Sequence, residues 1–151
     1  MLLEQATILA REGQYKPDLA RSLMTLGRAR LKLGEVGLAT ELLMESLSRF
    51  QDIGNKLGIA ITLEALASVR LTQQDSAGAV RLYAAAHNLR RVLGAPLPPI
   101  DHDVYNSAIA ATRAQLGDDV FTDLWAHAAA APFIEVVEEI LMASDAVRRG
   151  P

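Results

Sequence analysis

An internal repeat of 40 residues constrains the fold of this chain more than any other feature of its sequence. When residues 20–57 are aligned with residues 60–97, nine positions are identical. The identical pairs are Ala20/Ala60, Leu23/Leu63, Leu26/Leu66, Arg30/Arg70, Leu31/Leu71, Ala39/Ala79, Leu42/Leu82, Gly54/Gly94 and Leu57/Leu97. They fall at helix-face spacings, and self-similarity at a fixed period is typical of repeat architectures. The sequence therefore predicts stacked copies of one helical unit that bury a shared core.

Glycine and proline divide the chain into eight predicted helices, because glycine is favoured just past a helix end and proline near a helix start. The predicted helices span 2–12, 17–33, 35–52, 56–73, 75–93, 101–116, 118–130 and 132–148. Alanine (25) and leucine (23) dominate the 151 residues, and both are strong helix formers. The predicted fold class is therefore all-α. Three acids at helix starts are predicted N-caps: Asp75, Asp101 and Asp118.

The same period organises the whole chain as one domain, 1–151. Its predicted parts are a half repeat at 1–16, repeats at 17–56 and 57–99, a degenerate repeat at 100–131 and a capping helix at 132–151. The proline-rich turn at 95–99 is short and is followed by more helix, so it does not divide the domain. A stacked array needs a polar outer face at its end, and the last helix is predicted to cover the last repeat.

Within each unit the residues resemble the tetratricopeptide repeat, a helix–turn–helix motif. The resemblance rests on Leu26-Gly27, Gly34-Glu35, Ala39, Leu43 and Ser46, answered by Leu66-Ala67, Gln74-Asp75, Ala79, Tyr83 and Ala86. Small residues at Gly27, Ala39 and Ala86 would let two helices approach closely, while Leu43 and Tyr83 fill the space between repeats. The resemblance implies a right-handed α-solenoid of about eight helices.

This chain departs from that repeat in several respects. Its period is 40 residues, whereas the tetratricopeptide period is about 34. Arg30 and Arg70 stand where the family usually has an aromatic residue, and no proline closes the repeat. Gln74 replaces the turn glycine, so a left-handed backbone there would cost about 1 kcal/mol relative to glycine.

Longer segments are similar to the C-terminal repeat region of bacterial LuxR- and MalT-type large ATP-binding regulators, which are signal-transduction ATPases. The segments are Ser46 to Ala60, Ala84 to Pro99, Ala114 to Phe121, and Leu124 to Ala126. In that family nucleotide and DNA binding reside in other domains, and the repeat region resembles a sensor or partner-docking arm. The resemblance implies a protein-binding, signal-sensing fragment of a larger cytoplasmic regulator. The alternative is a stand-alone scaffold or homodimerisation module.

Several chemistries find no support in the sequence. The chain has no cysteine, which excludes disulfides, thiolate metal sites and thiol catalysis. Its glycines form neither a phosphate-binding loop nor a dinucleotide-binding turn, and no nucleophile elbow is present. The net charge of −3 does not favour nucleic acid or anionic lipid. We therefore expect no enzyme activity, no cofactor, and a soluble cytoplasmic protein.

A basic stripe on the first helix of the first repeat is the best candidate for a partner-binding site. Its cations Arg21, Arg28 and Lys32 share one helix face. Met24 and Thr25 lie beside them, and the next repeat supplies Glu64, Ser68 and Thr72 at corresponding positions. In the tetratricopeptide pattern this face lines the concave groove, so the resemblance implies a site that could hold an acidic helix or a peptide carboxylate. The alternative is a solvated face whose cations pair with nearby acids.

The remaining candidates have more ordinary interpretations. His87 is predicted to be a partly buried packing residue. The segment Asp-His-Asp at 101–103 is predicted to be a helix start. A metal site at Asp119, Asp123 and His127 is a low-probability alternative to a solvated face, because one helix does not close a coordination shell. Apolar spacing predicts core positions for Phe121, Leu124 and Trp125. A homodimer through the uncapped N-terminal helix would bury Leu2, Leu3, Ile8 and Leu9.

Overall fold

A computed structural model describes residues 3–5, 7–8 and 16–150 of the chain. Within those ranges the regular structure is entirely helical, which confirms the all-α class. The helices are α1 (Lys16–Lys32), α2 (Val36–Ile53), α3 (Lys56–Thr72), α4 (Ser76–Leu93), a short 3-10 helix (Pro99–Asp101), α5 (His102–Leu116), α6 (Asp118–Ala130) and α7 (Phe133–Arg149). Each predicted boundary from residue 16 onward lies within one residue of the observed one. The predicted helix 2–12 lies mostly outside the described residues, although residues 3–5 and 7–8 are helical.

Side-chain caps are present at the starts of α3 and α4, at Asn55 and Asp75, and one of the three predicted acidic caps is thereby confirmed. The Oδ1 atom of Asp75 accepts the Gly78 N–H at 2.9 Å and so caps α4. The other two predicted caps are wrong. Asp101 makes no side-chain cap bond because the preceding 3-10 turn already holds it in a helical backbone, with φ −93° and ψ −7°. Asp118 lies inside the first turn of α6, and Gly117 takes the cap position with φ 83°.

The turn between α3 and α4 has a left-handed backbone at Gln74, which is the condition under which replacing the turn glycine has a steric cost. The φ of Gln74 is 60°, the only positive value at a non-glycine residue in the part of the chain that the structure describes. The equivalent residue in the first repeat, Gly34, has φ 79°. The two turns also share their hydrogen bonds, since the N–H of Asp75 bonds the Arg70 carbonyl as the N–H of Glu35 bonds that of Arg30. Gln74 therefore carries the steric cost that glycine avoids at this position.

Gln74→Gly is expected to raise the free energy of unfolding by roughly 0.5 kcal/mol, because relief of left-handed strain exceeds the entropy that glycine adds to the unfolded chain. The Gln74 side chain is exposed, so little packing is lost. Chemical denaturation measures the difference. Gln73→Gly is the control, since this neighbouring exposed residue has φ −88° and gains nothing from glycine. A lower melting temperature for Gln74→Gly would contradict the interpretation.

The core lies between two helical hairpins formed by α1 with α2 and by α3 with α4, and α2 also packs against α3. Leucines at its centre are fully buried: Leu23, Leu43, Leu47 and Leu63. Ala39 and Ala86 are likewise fully buried. A Cβ atom added to Gly27 would lie 2.8 Å from Leu43 Cγ. That distance confirms that a small residue at Gly27 permits the close approach of α1 and α2.

The C-terminal helices pack differently from the two hairpins. α6 packs more extensively on α4 than on its own neighbour α5. After a bend of 102°, α7 lies against α2 and α4, where Val136 and Val137 are fully buried. The last helix therefore does not cover α5 and α6, which differs from the predicted capping arrangement. Its apolar edge fills the surface shared by α2 and α4.

No single helix within the described ranges is long and apolar enough to cross a membrane. Taken together, α6 and the part of α7 up to Ala146 have the length and apolar composition that a membrane-spanning segment needs. The 102° bend between them separates that pair into two short helices.

Candidate binding groove

A concave groove of about 340 Å³ opens between α1, α3, the start of α5 and the loop that precedes it. The residues around it are Arg28, Leu31, Lys32, Ile61, Glu64, Ala65, Ser68, Tyr83, Leu97, Asp101, Val104 and Tyr105. The first helices of the successive units supply most of this lining. We refer to this site as the groove.

The structure brings four of the eight predicted site residues together in the groove: Arg28, Lys32, Glu64 and Ser68. Three others, Arg21, Thr25 and Thr72, are exposed but do not line it. Met24 is only 8% exposed and belongs to the hydrophobic core. Its long apolar side chain adapts to the edge of the apolar stripe on α1, so it packs inward.

Arg28 and Lys32 are the two cations of the groove. Both side chains are exposed, and neither forms an ion pair with any residue that the structure describes. Their exposure agrees with the solvated-face interpretation, while its acid pairing is not found among the described residues. Unpaired cations one helical turn apart can both reach the same anionic group.

Glu64 faces the groove but is already paired. Arg90 donates from Nε and Nη2 to the two carboxylate oxygens of Glu64, at 2.7 Å and 2.9 Å. Only 10% of the Arg90 side chain and 15% of the Glu64 side chain are exposed. Arg90 also donates to the Ala95 carbonyl at 3.2 Å. The pair therefore joins α3 and α4 to the proline-rich loop and holds that wall of the groove in place.

Sequence motifs do not indicate this ion pair, but the 40-residue alignment does. In the 40-residue alignment Glu64 corresponds to Met24 and Arg90 corresponds to Phe50. Both residues of the first repeat belong to the hydrophobic core, in which Phe50 is 2% exposed. Opposite charges that replace two buried apolar residues at equivalent positions indicate a buried ion pair.

Two tyrosines form the floor of the groove. The rings of Tyr83 and Tyr105 meet edge to face with centroids 5.5 Å apart. Burial, with the nearby Glu64 carboxylate, raises the pKa of Tyr105 to about 12. Burial also raises the pKa of Tyr83, whose hydroxyl lies 3.2 Å from the Ser68 hydroxyl. Both phenols therefore stay neutral at physiological pH and can take part in hydrogen bonds without adding charge.

The low-probability metal site is not assembled. Asp119, Asp123 and His127 are all exposed on α6. Among the residues that the structure describes, no three His, Asp or Glu side chains gather as metal ligands would. At the start of α5, His102 Nε2 lies 2.9 Å from the Leu97 carbonyl, and Asp101 lines the groove.

The predicted apolar residues of α6 and the N-terminus have mixed outcomes. Phe121 is 3% exposed, while Leu124 and Trp125 are partly buried. His87 is exposed, so its predicted partial burial is wrong; its ring centroid lies 5.4 Å from that of Trp125. Ile8 is 54% exposed, whereas Leu3 is partly buried. Leu2 and Leu9 lie outside the described residues.

Chemically, the groove combines two cations that have no ion pair among the described residues, neutral hydroxyl groups and apolar side chains around one buried ion pair. Comparisons of the chain with protein-family models, curated proteins and solved structures found no match. A functional assignment therefore depends on the geometry of the groove itself.

Proposed function

We propose that this chain is a non-catalytic protein-binding domain that holds an acidic peptide segment or helix in the groove. The observation that carries the proposal is the placement of Arg28 and Lys32, exposed and without ion pairs, at the edge of a concave site. Apolar residues beside them, including Leu31, Ile61 and Val104, offer contact for a partner's apolar side chains. An amphipathic acidic helix has both kinds of group on one face.

The helix packing supports a right-handed α-solenoid of tetratricopeptide-like repeats. α1 packs on α3, and α3 on α5, so the first helices of successive units are neighbours. The shared turn geometry at Gly34 and Gln74 supports the equivalence of the two units. In such arrays the extended concave surface is the common binding face.

In this proposal the domain acts as a signal-sensing arm of a larger cytoplasmic bacterial transcriptional regulator or signal-transduction ATPase. This part of the proposal draws only on the resemblance of the four segments given in the sequence analysis to the repeat region of LuxR- and MalT-type regulators. A partner bound in the groove, or a neighbouring domain of the parent chain, would shift the parent between two states by binding one of them more tightly. The net charge of −3 agrees with a protein partner rather than nucleic acid.

Arg28→Glu with Lys32→Glu is expected to weaken binding of an acidic amphipathic peptide about tenfold, because two attractive contacts of roughly 0.2–1 kcal/mol each become repulsive. The probe is a fluorescein-labelled helical peptide with glutamate and leucine on one face, and fluorescence anisotropy measures its affinity. The matched control reverses Lys56 and Arg149, which are exposed and lie outside the groove.

Equal affinities of the two double variants would contradict the proposal, since both carry the same change in net charge. A molecular mass that doubles with concentration in light scattering would favour the alternative of a homodimerisation module.

A further inference from the structure

A second concave site lies between α4, α5 and α6 and adjoins the groove across Tyr105. Its volume is about 560 Å³, which is within the range of small-molecule sites. The residues that define its character are His87, Ile109, Ala110, Arg113, Phe121 and Trp125. We refer to it as the aromatic pocket.

The aromatic pocket exists because α6 packs on α4 more extensively than on α5. A regular helical hairpin would bring α5 and α6 together along their length and close this space. Instead α5 and α6 pack on each other less than α6 packs on α4, and Trp125 remains only partly buried. A large aromatic residue with part of its ring accessible in a concave site is available for contact with a ligand.

One wall of the aromatic pocket is a continuous series of π systems. The Arg113 guanidinium lies 4.5 Å from the centroid of the Phe121 ring. The Phe121 and Trp125 rings are stacked with centroids 5.7 Å apart and an interplanar angle of 26°. Trp125 and His87 continue the series at 5.4 Å. Phe121 is only 3% exposed and lies between Arg113 and Trp125, so the ring surface that a ligand can reach belongs to Trp125 and His87. Their accessible parts favour a planar aromatic molecule, which packs on them without losing internal freedom.

Charge at the aromatic pocket favours an anionic ligand. Arg113 lines the pocket, and half of its side chain is exposed. Its ion pair with Asp118 is long, at 3.8 Å, and the Asp118 side chain is 80% exposed. Arg113 therefore keeps hydrogen-bonding capacity for a carboxylate or sulfonate, and Asn106 and Thr122 add polar groups to the lining.

We propose that the aromatic pocket binds a small planar aromatic acid, with its ring against Trp125 and its anionic group paired with Arg113. This inference goes beyond the groove and assigns a separate ligand site to the domain. A small molecule bound between α5 and α6 also contacts Tyr105, which lines both sites. Tyr105 therefore lies between the two sites.

Binding can be followed without a label because Trp125 is the only tryptophan in the chain. The anionic probe is anilinonaphthalene sulfonate, and the neutral probe is phenylnaphthylamine. We expect the sulfonate to quench Trp125 emission and to gain energy-transfer emission in a saturable titration. Ala110→Leu and Ala126→Leu, both exposed and in the lining, should each reduce its affinity at least about fivefold by filling the pocket.

Ala114→Leu is the matched control, since Ala114 is exposed on α5 but does not line the aromatic pocket. Arg113→Gln should weaken the sulfonate roughly fivefold and leave the neutral probe unchanged, because it removes one exposed charge contact. Circular dichroism confirms that each variant keeps its helices. Equal sulfonate affinities of the lining and control variants would overturn the proposed site. Equal weakening of both probes by Arg113→Gln would overturn the assignment of an acid as ligand.

Discussion

Glu64→Met is expected to lower the free energy of unfolding by about 3 kcal/mol, because it leaves the Arg90 guanidinium buried without its partner. Arg90 is 9% exposed, so water can only partly replace the two bonds that it makes to Glu64. The backbone carbonyl of Ala95 remains as an acceptor at 3.2 Å but carries no full charge. Urea denaturation, followed by the helical signal in circular dichroism, measures the loss.

Adding Arg90→Phe to Glu64→Met should recover most of that stability. The double variant gives the second repeat the residues that stand at Met24 and Phe50 in the first, where both belong to the core. Well-packed apolar residues commonly match or exceed a buried ion pair in stability. A double variant less stable than Glu64→Met would show that the second repeat cannot accept the apolar pair. Arg49→Met is the control, because its pair with Glu45 is one-third exposed and its loss should cost under about 1 kcal/mol.

Gly27→Ala is expected to lower the free energy of unfolding by about 1–3 kcal/mol through overpacking. The new Cβ atom would lie 2.8 Å from Cγ and 3.0 Å from Cδ2 of Leu43. Leu43 is fully buried, so its side chain has no open space to move into. Either α1 moves away from α2 or Leu43 takes a strained rotamer, and both changes weaken the first hairpin.

Gly37→Ala provides a control of opposite sign. Gly37 lies in α2, is exposed, and has no neighbouring atom within 4 Å of an added Cβ. Alanine there should raise stability by a few tenths to about 1 kcal/mol, because it restricts the unfolded chain and suits a helix. Thermal denaturation of the two variants separates packing from backbone entropy. If both substitutions stabilise the protein, the close approach of α1 and α2 at Gly27 does not constrain the fold.

Helix positions were predictable from sequence because the rules that place them act within one or two turns of chain. A glycine past a helix end and an aspartate cap such as Asp75 depend on backbone geometry alone. The repeat added a second constraint, since it made Gln74 equivalent to Gly34 before any backbone angle was known. Where an unexpected 3-10 turn preceded the helix, at Asp101, the same local rule failed.

Tertiary packing set the features that sequence did not predict. Nothing in the periodicity of α7 specifies which apolar surface it will cover, so its position across α2 and α4 was not foreseen. The exposure of His87 is likewise set by tertiary packing, because it depends on how α6 packs against α4. Helix propensity and hydrophobic pattern predict which face of a helix is apolar, but they do not predict which neighbouring helix that face packs against.

The groove was predictable in part, for a similar reason. Helical spacing placed Arg28 and Lys32 on one face, and the repeat period placed Glu64 and Ser68 beside them. The partner of Glu64 lies on the next helix of its own unit, and motif spacing does not reveal such a pairing. The only sequence signal for the Glu64–Arg90 ion pair was in the 40-residue alignment. There the apolar residues Met24 and Phe50 correspond to the oppositely charged Glu64 and Arg90.

The position of α7 has a consequence for how the protein unfolds. Helical hairpins that touch only their sequence neighbours tend to open one after another, and their stabilities add nearly independently. α7 contacts α2 as well as α4, so it joins two hairpins across a long stretch of chain. Opening either hairpin exposes Val136 and Val137 together with its own core. The two hairpins and the last helix are thereby coupled into one cooperative folding unit.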